Sequence, residues 1–234
     1  MARHQSRHQP AISVGTNKKE MVGGFKNAGR EWWPQCEPEP VRVHDFLIPQ
    51  KGKAIPYGVY DLNRNEGWVS VEIDHDTATF AVRAIRRWWE VMGRPSYPRA
   101  TSLLITADCG GSNGAKSWLW EWELQQFAIR TGLTFTAGHF PPGTSKWNRI
   151  EHRLFSHIAM NWRGKPLVSL AVIVSLIGTT TSTAGLRVRS ELDKGRLPDG
   201  IKVSDAQMAS ALLEPHEFHG DSNYTIRSHQ GLAK

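Results

Sequence analysis

Apolar and polar positions along the chain change period several times, and each change predicts an element. "AISV" (Ala11–Val14) is a short β-rich run that reads as a first strand leading into Gly15. "AIPYGVYDL" and "GWVSVEI" flank the polar "NRNE", which is the pattern of a β-hairpin. In "DTATFAVRAIRRWWEVMGRP", Ala78, Ala81, Val82, Ile85, Trp88, Trp89 and Met92 fall at helical spacing, and Gly93 and Pro95 close the helix. "SLLITAD" is apolar without alternation, so it predicts a strand covered on both faces. A second helix follows in "WLWEWELQQFAIRTG", with Trp120, Leu124, Phe127 and Ala128 on its apolar stripe and Gly132 as its stop. "LTFTAGHF" reads as a further strand, "PPGTSKWN" as a loop, and "RIEHRLFSHIAMNWRG" as a third helix with Ile150, Leu154 and Ile158 in line. This succession predicts an α/β fold built on a mixed five-stranded sheet flanked by helices.

The flanking stretches are less regular. Residues 1–10 are polar and predict a disordered tail ahead of a core over 11–165. From Gly15 to Lys53 the chain is rich in glycine, proline and charge, so it predicts a long excursion with at most short strands such as Val41–Phe46. An excursion of that length points to a functional role. After Pro166 come an apolar helix, the strand-like "LRVRSEL", a Pro-Gly turn and a short helix that Ser204 can cap. Residues 166–234 therefore read as a mainly helical C-terminal extension of the same domain.

Composition narrows the class. A chain of 234 residues, 39% of them hydrophobic, suits one domain with an appendage. The longest apolar run, Leu167–Gly178, falls short of the roughly 20 residues of a membrane span. No apolar stretch follows the charged start, so a secretory signal is not expected and the cytoplasm is. Cys36 and Cys109 lack CxxC spacing, which argues against a zinc site or a disulfide framework and predicts two reduced thiols. A formal charge of +7 favours a polyanionic partner, against the plainer reading of a basic surface with none.

Two acids stand out against this background. Asp108 closes the apolar strand just before "CGGSNG", where it either organises the turn through its side chain or supplies a ligand to a site built from distant stretches. Glu151 follows 43 residues later in the first turn of the third helix, where it can close a capping box with Asn148, bind a metal, or do both. The element order matches the ribonuclease-H-like scaffold, in which acids from the first strand, the fourth strand and a later helix converge on two divalent ions. Phosphodiester cleavage and strand transfer use two hard cations about 3.5–4 Å apart, one activating the attacking oxygen and one stabilising the leaving oxygen. Carboxylates are the ligands that magnesium prefers.

"LLITADCGGSNG", "FPPGTSKWNRIEHRLFSHI", "NWRGKPLVS" and "EFHGDSNYTI" closely resemble the DDE domain of bacterial insertion-sequence transposases of the ISAzo-thirteen type, over nearly the whole chain from Pro10 to Ile226. The stretch Pro142–Glu151 also resembles the Asn-Pro-Ile-Glu signature of mariner-like transposases, with Arg149 in place of proline. The resemblance implies that Asp108 and Glu151 are the second and third catalytic acids and metal ligands. It implies Mg²⁺ as the cofactor, two ions in an intact site, and DNA as the partner, both element ends and target. It also implies a bacterial cytoplasmic location on the nucleoid when DNA is bound, and a homo-oligomer or an association with intact transposase.

The first acid is where the chain departs from the pattern. Family strands of the form "ISVDTKKKE" correspond here to "ISVGTNKKE", so Gly15 occupies the aspartate position. Its 93-residue separation from Asp108 suits a strand, a hairpin and a helix, so the topology points to the same position. Asp61 is expected at the hairpin end, away from the site. Asp74 and Asp76 leave the hairpin at the correct end but two strand spacings, roughly 10 Å, from position 15, which suits supporting roles. Cleavage is therefore expected to be lost or severely weakened. Only ten residues precede the first strand, where such transposases carry a helical segment that reads the terminal repeats. The resemblance thus implies an N-terminally truncated copy with weak end recognition.

Lys18, Lys19, Lys26, Arg30, Lys146, Arg149 and Arg153 flank the expected site and suit phosphate contacts, or form a solvated basic surface. Tryptophans at helical spacing read as core, whereas Trp32, Trp33 and Trp147 lie in loops where they can stack on bases. His152 and His157 are five apart, off the spacing of helical metal pairs, and His139 reads as structural. The leading expectation is an impaired DDE transposase domain. The alternatives are a non-catalytic DNA-binding remnant that interferes with an intact transposase, and a ribonuclease-H-like nuclease that cleaves without joining.

Overall fold

The computed structural model describes residues 4, 6–44, 48, 52–73, 75–195, 198 and 200–228. Strand β1 (Ala11–Thr16) runs through the middle of a mixed sheet. On one side it pairs antiparallel with β3 (Lys53–Asp61), which pairs antiparallel with β4 (Glu66–Glu72). On the other side β1 pairs parallel with β5 (Ser102–Ala107), and β5 pairs parallel with β6 (Thr134–His139). These five strands are the ones the succession along the chain predicts, and they form a mixed sheet. A two-residue strand, β2 (Glu20–Met21), is added against β3.

The C-terminal residues enlarge the sheet at both edges, so they are less helical than their sequence predicts. β7 (Arg187–Leu192) joins β4 in parallel, while β8 (Leu213–Pro215) and β9 (Asn223–Ile226) extend the sheet beyond β6, giving the order β7-β4-β3-β1-β5-β6-β9-β8. The signal in β9 is short: only Tyr224 and Ile226 of its four residues point inward. A run of that length is too brief for periodicity to register.

Each face of the sheet has its own helices. Alternation along β1 sends Ile12 and Val14 to one face, where helices α1 (Ala78–Trp88) and α2 (Trp118–Thr131) cover them with Phe80, Ile85, Trp88, Trp120 and Leu124. Burying each such large side chain contributes about 1.5–3 kcal/mol. Thr77 caps α1 by accepting from the Phe80 amide at 3.2 Å, and the helix continues as a π-helical turn, Trp89–Gly93. Ser117 caps α2, and Gly132 ends it in the left-handed conformation at φ 72°.

The opposite face carries a π-helical turn, Glu151–Phe155, that runs into α3 (Ser156–Asn161), and then α4 (Leu170–Gly178). Ile150, Leu154, Phe155 and Ile158 pack there with Tyr60, Val69 and Val71, beside Ile173 and Ile177 of α4. Ser204 and Gln207 form a reciprocal capping box at α5 (Asp205–Ala209).

The long excursion between β1 and β3 is mostly irregular. It is held by β2 and by a single bridge between Phe25 and Arg42. The expected strand Val41–Phe46 makes only that bridge over Val41–His44, and its last two residues lie outside the described ones. Ahead of β1, the Gln9 side chain accepts from the Thr101 and Ser102 amides at 2.8 and 3.0 Å. Among the described residues no helix is long and apolar enough to cross a membrane.

Candidate active site

β5 delivers Asp108 to the end of the sheet, and the turn after it fixes the carboxylate. Gly111 takes φ 63° to start a 3₁₀ turn, Gly111–Asn113, that buries Asn113 beneath the strand end. Asn113 then donates from Nδ2 to Asp108 Oδ1 at 2.8 Å. The turn-organising reading of Asp108 and the ligand reading are therefore compatible: the turn aims the acid. Asp108 follows β5 by one residue, and its charge reaches Glu151, Tyr57 and Asp76 around the strand end.

Glu151 reaches the same end through a different device. Asn148, fully buried, donates from Nδ2 to the Val14 carbonyl at 2.9 Å and accepts from the Ser13 hydroxyl. Ser13 Oγ in turn accepts from the Ile150 amide at 3.0 Å. The helix start is thus fastened to β1. The Asn148 side chain does not cap the helix, so of the readings open for Glu151 the capping box is not the one formed: the Asn148 amide is spent on the strand, and only the Asn148 carbonyl meets the Glu151 amide, at 3.2 Å. This fastening through Ser13 and Asn148 was not predicted, although Asn148 stands inside the Pro142–Glu151 motif.

The two acids share one electrostatic environment. Burial pushes the Asp108 carboxyl above the usual carboxylate range, and the nearby Asp76 charge adds to it, against the opposing hydrogen bonds from Asn113 and its own amide. Burial also raises Glu151, and the Asp108 charge raises it further, with His152 opposing. Tyr57 sits on β3 with a fully buried hydroxyl that has no hydrogen-bond partner among the described residues, and burial together with the Asp108 and Asp76 charges holds its proton on.

Position 15 has room for a side chain. A Cβ there would lie 3.7 Å from Asn148 Nδ2 and Ile150 Cγ2 and 3.9 Å from Phe155 Cε2, all ordinary contacts, and it would project toward the Glu151 helix. Its strand partner Gly58 is different, because a Cβ there would meet the Phe155 ring at 2.6 Å and Ile150 at 2.8 Å. Gly58 is required by packing; Gly15 is not.

The other acids separate. Asp61 pairs with Ile12 at the opposite end of β1, where it accepts from the Asn63 and Arg64 amides and the Tyr97 hydroxyl, which suits the expected hairpin-end placement. Asp76 reaches the residue next to position 15: its Oδ1 accepts from Thr16 Oγ1 at 3.0 Å, while Lys19 lies 3.5 Å from Oδ2. It does so from the opposite face, since Thr16 alternates with Gly15. Asp74 lies outside the described residues.

A family profile described as "Rhodopirellula transposase DDE domain" matches residues 1–228. The chain belongs to that transposase DDE domain family. Comparison with curated proteins finds no match. Among solved structures, the chain is similar to "Mos1 transposase paired-end complex with left transposon end", at 10% identity and a TM-score of 0.44, over 74% of this chain and 48% of that one. The chain therefore spans about half the length of that structure.

In this DDE domain the basic and aromatic positions proposed for DNA form two groups. Lys146, Trp147, Arg149 and Arg153 are all exposed on the loop and helix around Glu151, Trp147 by 55%. His152 steadies that loop, its Nε2 lying 2.6 Å from the Lys146 carbonyl oxygen. Lys18 and Lys19 are instead engaged, at 3.5 Å from Glu20 and Asp76. Trp32 and Trp33 are exposed, whereas Trp88, Trp89 and Trp120 are core, as their spacing predicts. His139 is buried with Nδ1 3.0 Å from the Ser222 carbonyl oxygen, a structural placement.

Asp108 and Glu151 suit a hard divalent cation by donor chemistry: two half-buried carboxylates that repel each other and that no cation among the described residues pairs with. Among the described residues, no three His, Cys, Asp or Glu side chains converge to hold a metal ion. Gly15 has no ligand atom.

Proposed function

We propose that this chain is the core of an insertion-sequence transposase, acting on DNA ends in transposition, and that its metal-dependent strand cleavage and transfer are weakened by Gly15. The observation that supports the reading is that Asp108 and Glu151 act on each other electrostatically, while a side chain at position 15 would project toward the residues that precede Glu151. Asp108 and Glu151 would hold Mg²⁺. A bound divalent cation supplies charge stabilisation for the attacking and leaving oxygens of a phosphodiester.

The chain's own residues do the rest. Asn113 fixes the Asp108 carboxylate, and Ser13 and Asn148 set the start of the Glu151 helix against β1. Lys146, Arg149 and Arg153 hold the phosphate backbone beside the acids, and Trp147 gives an exposed ring for an unpaired base. Gly15 itself favours the second reading, a DNA-binding remnant that enters the complexes of an intact transposase.

A cleavage and strand-transfer assay on duplexes carrying the element's ends, with Mg²⁺ or Mn²⁺, tests both. The expected result is weak or no cleavage by the native chain and a gain with Gly15→Asp. Strong cleavage by the native chain that survives Asp108→Ala would overturn the transposase reading. Duplex binding without cleavage, unchanged by Gly15→Asp, would favour the remnant.

A further inference from the structure

The end of the sheet away from the acids carries a different chemistry. α1 and α2 both finish there, and the chain enters β5 and β6 from there, about 20 Å along the strands from Asp108. A cavity of about 500 Å³ opens between the two helix ends, with Arg86, Arg94 and Arg130 around it and Trp89 and Tyr97 in its wall. A second cavity of about 620 Å³ shares Tyr97 and Pro98 with the first and adds Arg99, Arg64 and His8. The two cavities lie side by side across Tyr97 and Pro98, an arginine-lined groove at the foot of the sheet.

What distinguishes the groove is how its charges are left. Arg87, next to Arg86 on the same helix, is paired with Glu191 at 2.9 Å and Glu90 at 3.2 Å. Arg64 is paired with Glu66 at 2.9 Å. The guanidinium groups of Arg86, Arg94, Arg99 and Arg130 have no hydrogen bond or ion pair among the described residues. Arg86 is half-buried, and burial first and the like charge of Arg130 second draw its pKa down, against the charges of Glu90, which also lines the cavity but bonds Arg87, and of Glu123. A fold gains nothing by holding like charges together in a recess. A multiply charged anion would relieve them, and planar guanidinium groups match phosphate oxygens in bidentate geometry.

We propose that this arginine groove binds the phosphate backbone of duplex DNA, as a second DNA surface separate from the carboxylate end. It adds to the proposed transposase reading, which places DNA only beside Asp108 and Glu151. Three of the free arginines line the first cavity and Arg99 lines the neighbouring one, so a duplex backbone, which presents phosphates in a row, can meet both, whereas a single small anion would meet only the first. Contacts of this kind position DNA without reading sequence.

The test uses the full chain and a fluorescein-labelled 30-base-pair duplex of arbitrary sequence, with anisotropy followed against salt. Arg86→Gln/Arg94→Gln/Arg130→Gln is expected to weaken binding about tenfold or more and to lower the slope of log K against log salt by about 2–3, near 0.9 per lost phosphate contact. The doubly exposed pair Arg94→Glu/Arg99→Glu is expected to act in the same direction, so a folding defect at Arg86 cannot carry the result. Lys146→Gln/Arg149→Gln/Arg153→Gln is measured alongside. If only this last variant loses affinity, the groove is overturned and the transposase reading stands. If no variant differs from the native chain, or the native chain binds no duplex, both fall. Competition by millimolar inorganic phosphate to the same extent as by unlabelled duplex would overturn the groove as a duplex surface.

Discussion

Asn148 donates to the Val14 carbonyl at 2.9 Å from a fully buried position, which ties the residue three places before Glu151 to the residue just before Gly15. The loop and β1 are 134 residues apart in the chain, so this one amide sets the register between the acid on the helix and the strand beside it. Asn148→Ala takes a donor from the Val14 carbonyl and an acceptor from the Ser13 hydroxyl in a buried site, while the Ile150 amide keeps Ser13 Oγ. The expected loss is about 2–4 kcal/mol of unfolding free energy, from the desolvation of groups left unpaired. Urea denaturation measures it; a change below about 1 kcal/mol would show that the tie contributes little.

Gly15→Asp and Gly58→Ala are expected to differ in sign of response to metal. At position 58 a methyl group meets the Phe155 ring, and overpacking of that kind costs about 1–3 kcal/mol with or without cation. At position 15 the space is open, but a third carboxylate joins Asp108 and Glu151. The variant should melt below the native chain in EDTA and gain more than the native chain from millimolar Mn²⁺, through binding linked to folding. Differential scanning fluorimetry with and without Mn²⁺ checks this. An equal Mn²⁺ response in the two proteins would mean that position 15 does not face the ion.

Much of this architecture is legible in the sequence because it rests on periodicity over long windows. The apolar stripes of α1 and α2 and the unbroken run of β5 determine which faces meet, and the end of β5 locates Asp108. The parts that escape are those set by single side chains acting across the fold. The Ser13–Asn148 fastening joins residues 135 apart, and nothing local in Ser13 marks it. The Thr16–Asp76 hydrogen bond, between residues 60 apart, escapes for the same reason. The outer strands β8 and β9 are only three and four residues long, too short to alternate visibly. The arginine groove escapes because its members are scattered over two helix ends and a turn.

Asp108 and Glu151 should make the protein less stable at neutral pH than it would be without their charges. Both carboxyls are raised in the folded chain, so their favourable contribution is complete below the ordinary carboxylate pKa and is lost as pH rises through the raised values. Asp108→Asn and Glu151→Gln are therefore expected to raise Tm at pH 7 by a few degrees. The gain should vanish below about pH 4, where the native acids are neutral in both states. Thermal unfolding across pH 3.5–8 decides it; a variant less stable than the native chain at pH 7 would contradict the repulsion between the two.

Glu121 carries the same logic away from the site. Burial alone pushes its carboxyl up to about 7, with no hydrogen bond opposing it, and its charge acts on the buried Tyr224 hydroxyl that Trp120 donates to at 2.9 Å. The group is neutral in the folded chain at pH 5 and ionised in the unfolded one, so its contribution is present below the ordinary glutamate pKa and falls away as pH rises through 7. Glu121→Gln should leave stability unchanged near pH 4 and raise it above pH 7, while native Tm declines over that interval. Guanidinium unfolding at pH 4, 6 and 8 gives the comparison, and an advantage for Glu121→Gln that is largest at pH 4 would refute it.

Trp147 offers a prediction that separates binding from folding. Its ring is 55% exposed on the 3₁₀ turn Ser145–Trp147, with Lys146 and Arg149 exposed on either side and the Glu151 helix starting four residues on. An exposed ring between cations suits stacking on an unpaired base, worth about 1–3 kcal/mol per base by alanine substitution. Trp147→Ala should therefore weaken binding to a single-stranded or frayed-end oligonucleotide by roughly 5- to 100-fold, bind a blunt duplex almost as the native chain does, and leave Tm within about a degree. Arg149→Gln should weaken both substrates alike and lower the salt slope by about 1, as a phosphate contact does. Anisotropy on paired blunt and frayed oligonucleotides reads both, and equal losses on the two for Trp147→Ala would show that the ring acts by packing the loop rather than by taking a base.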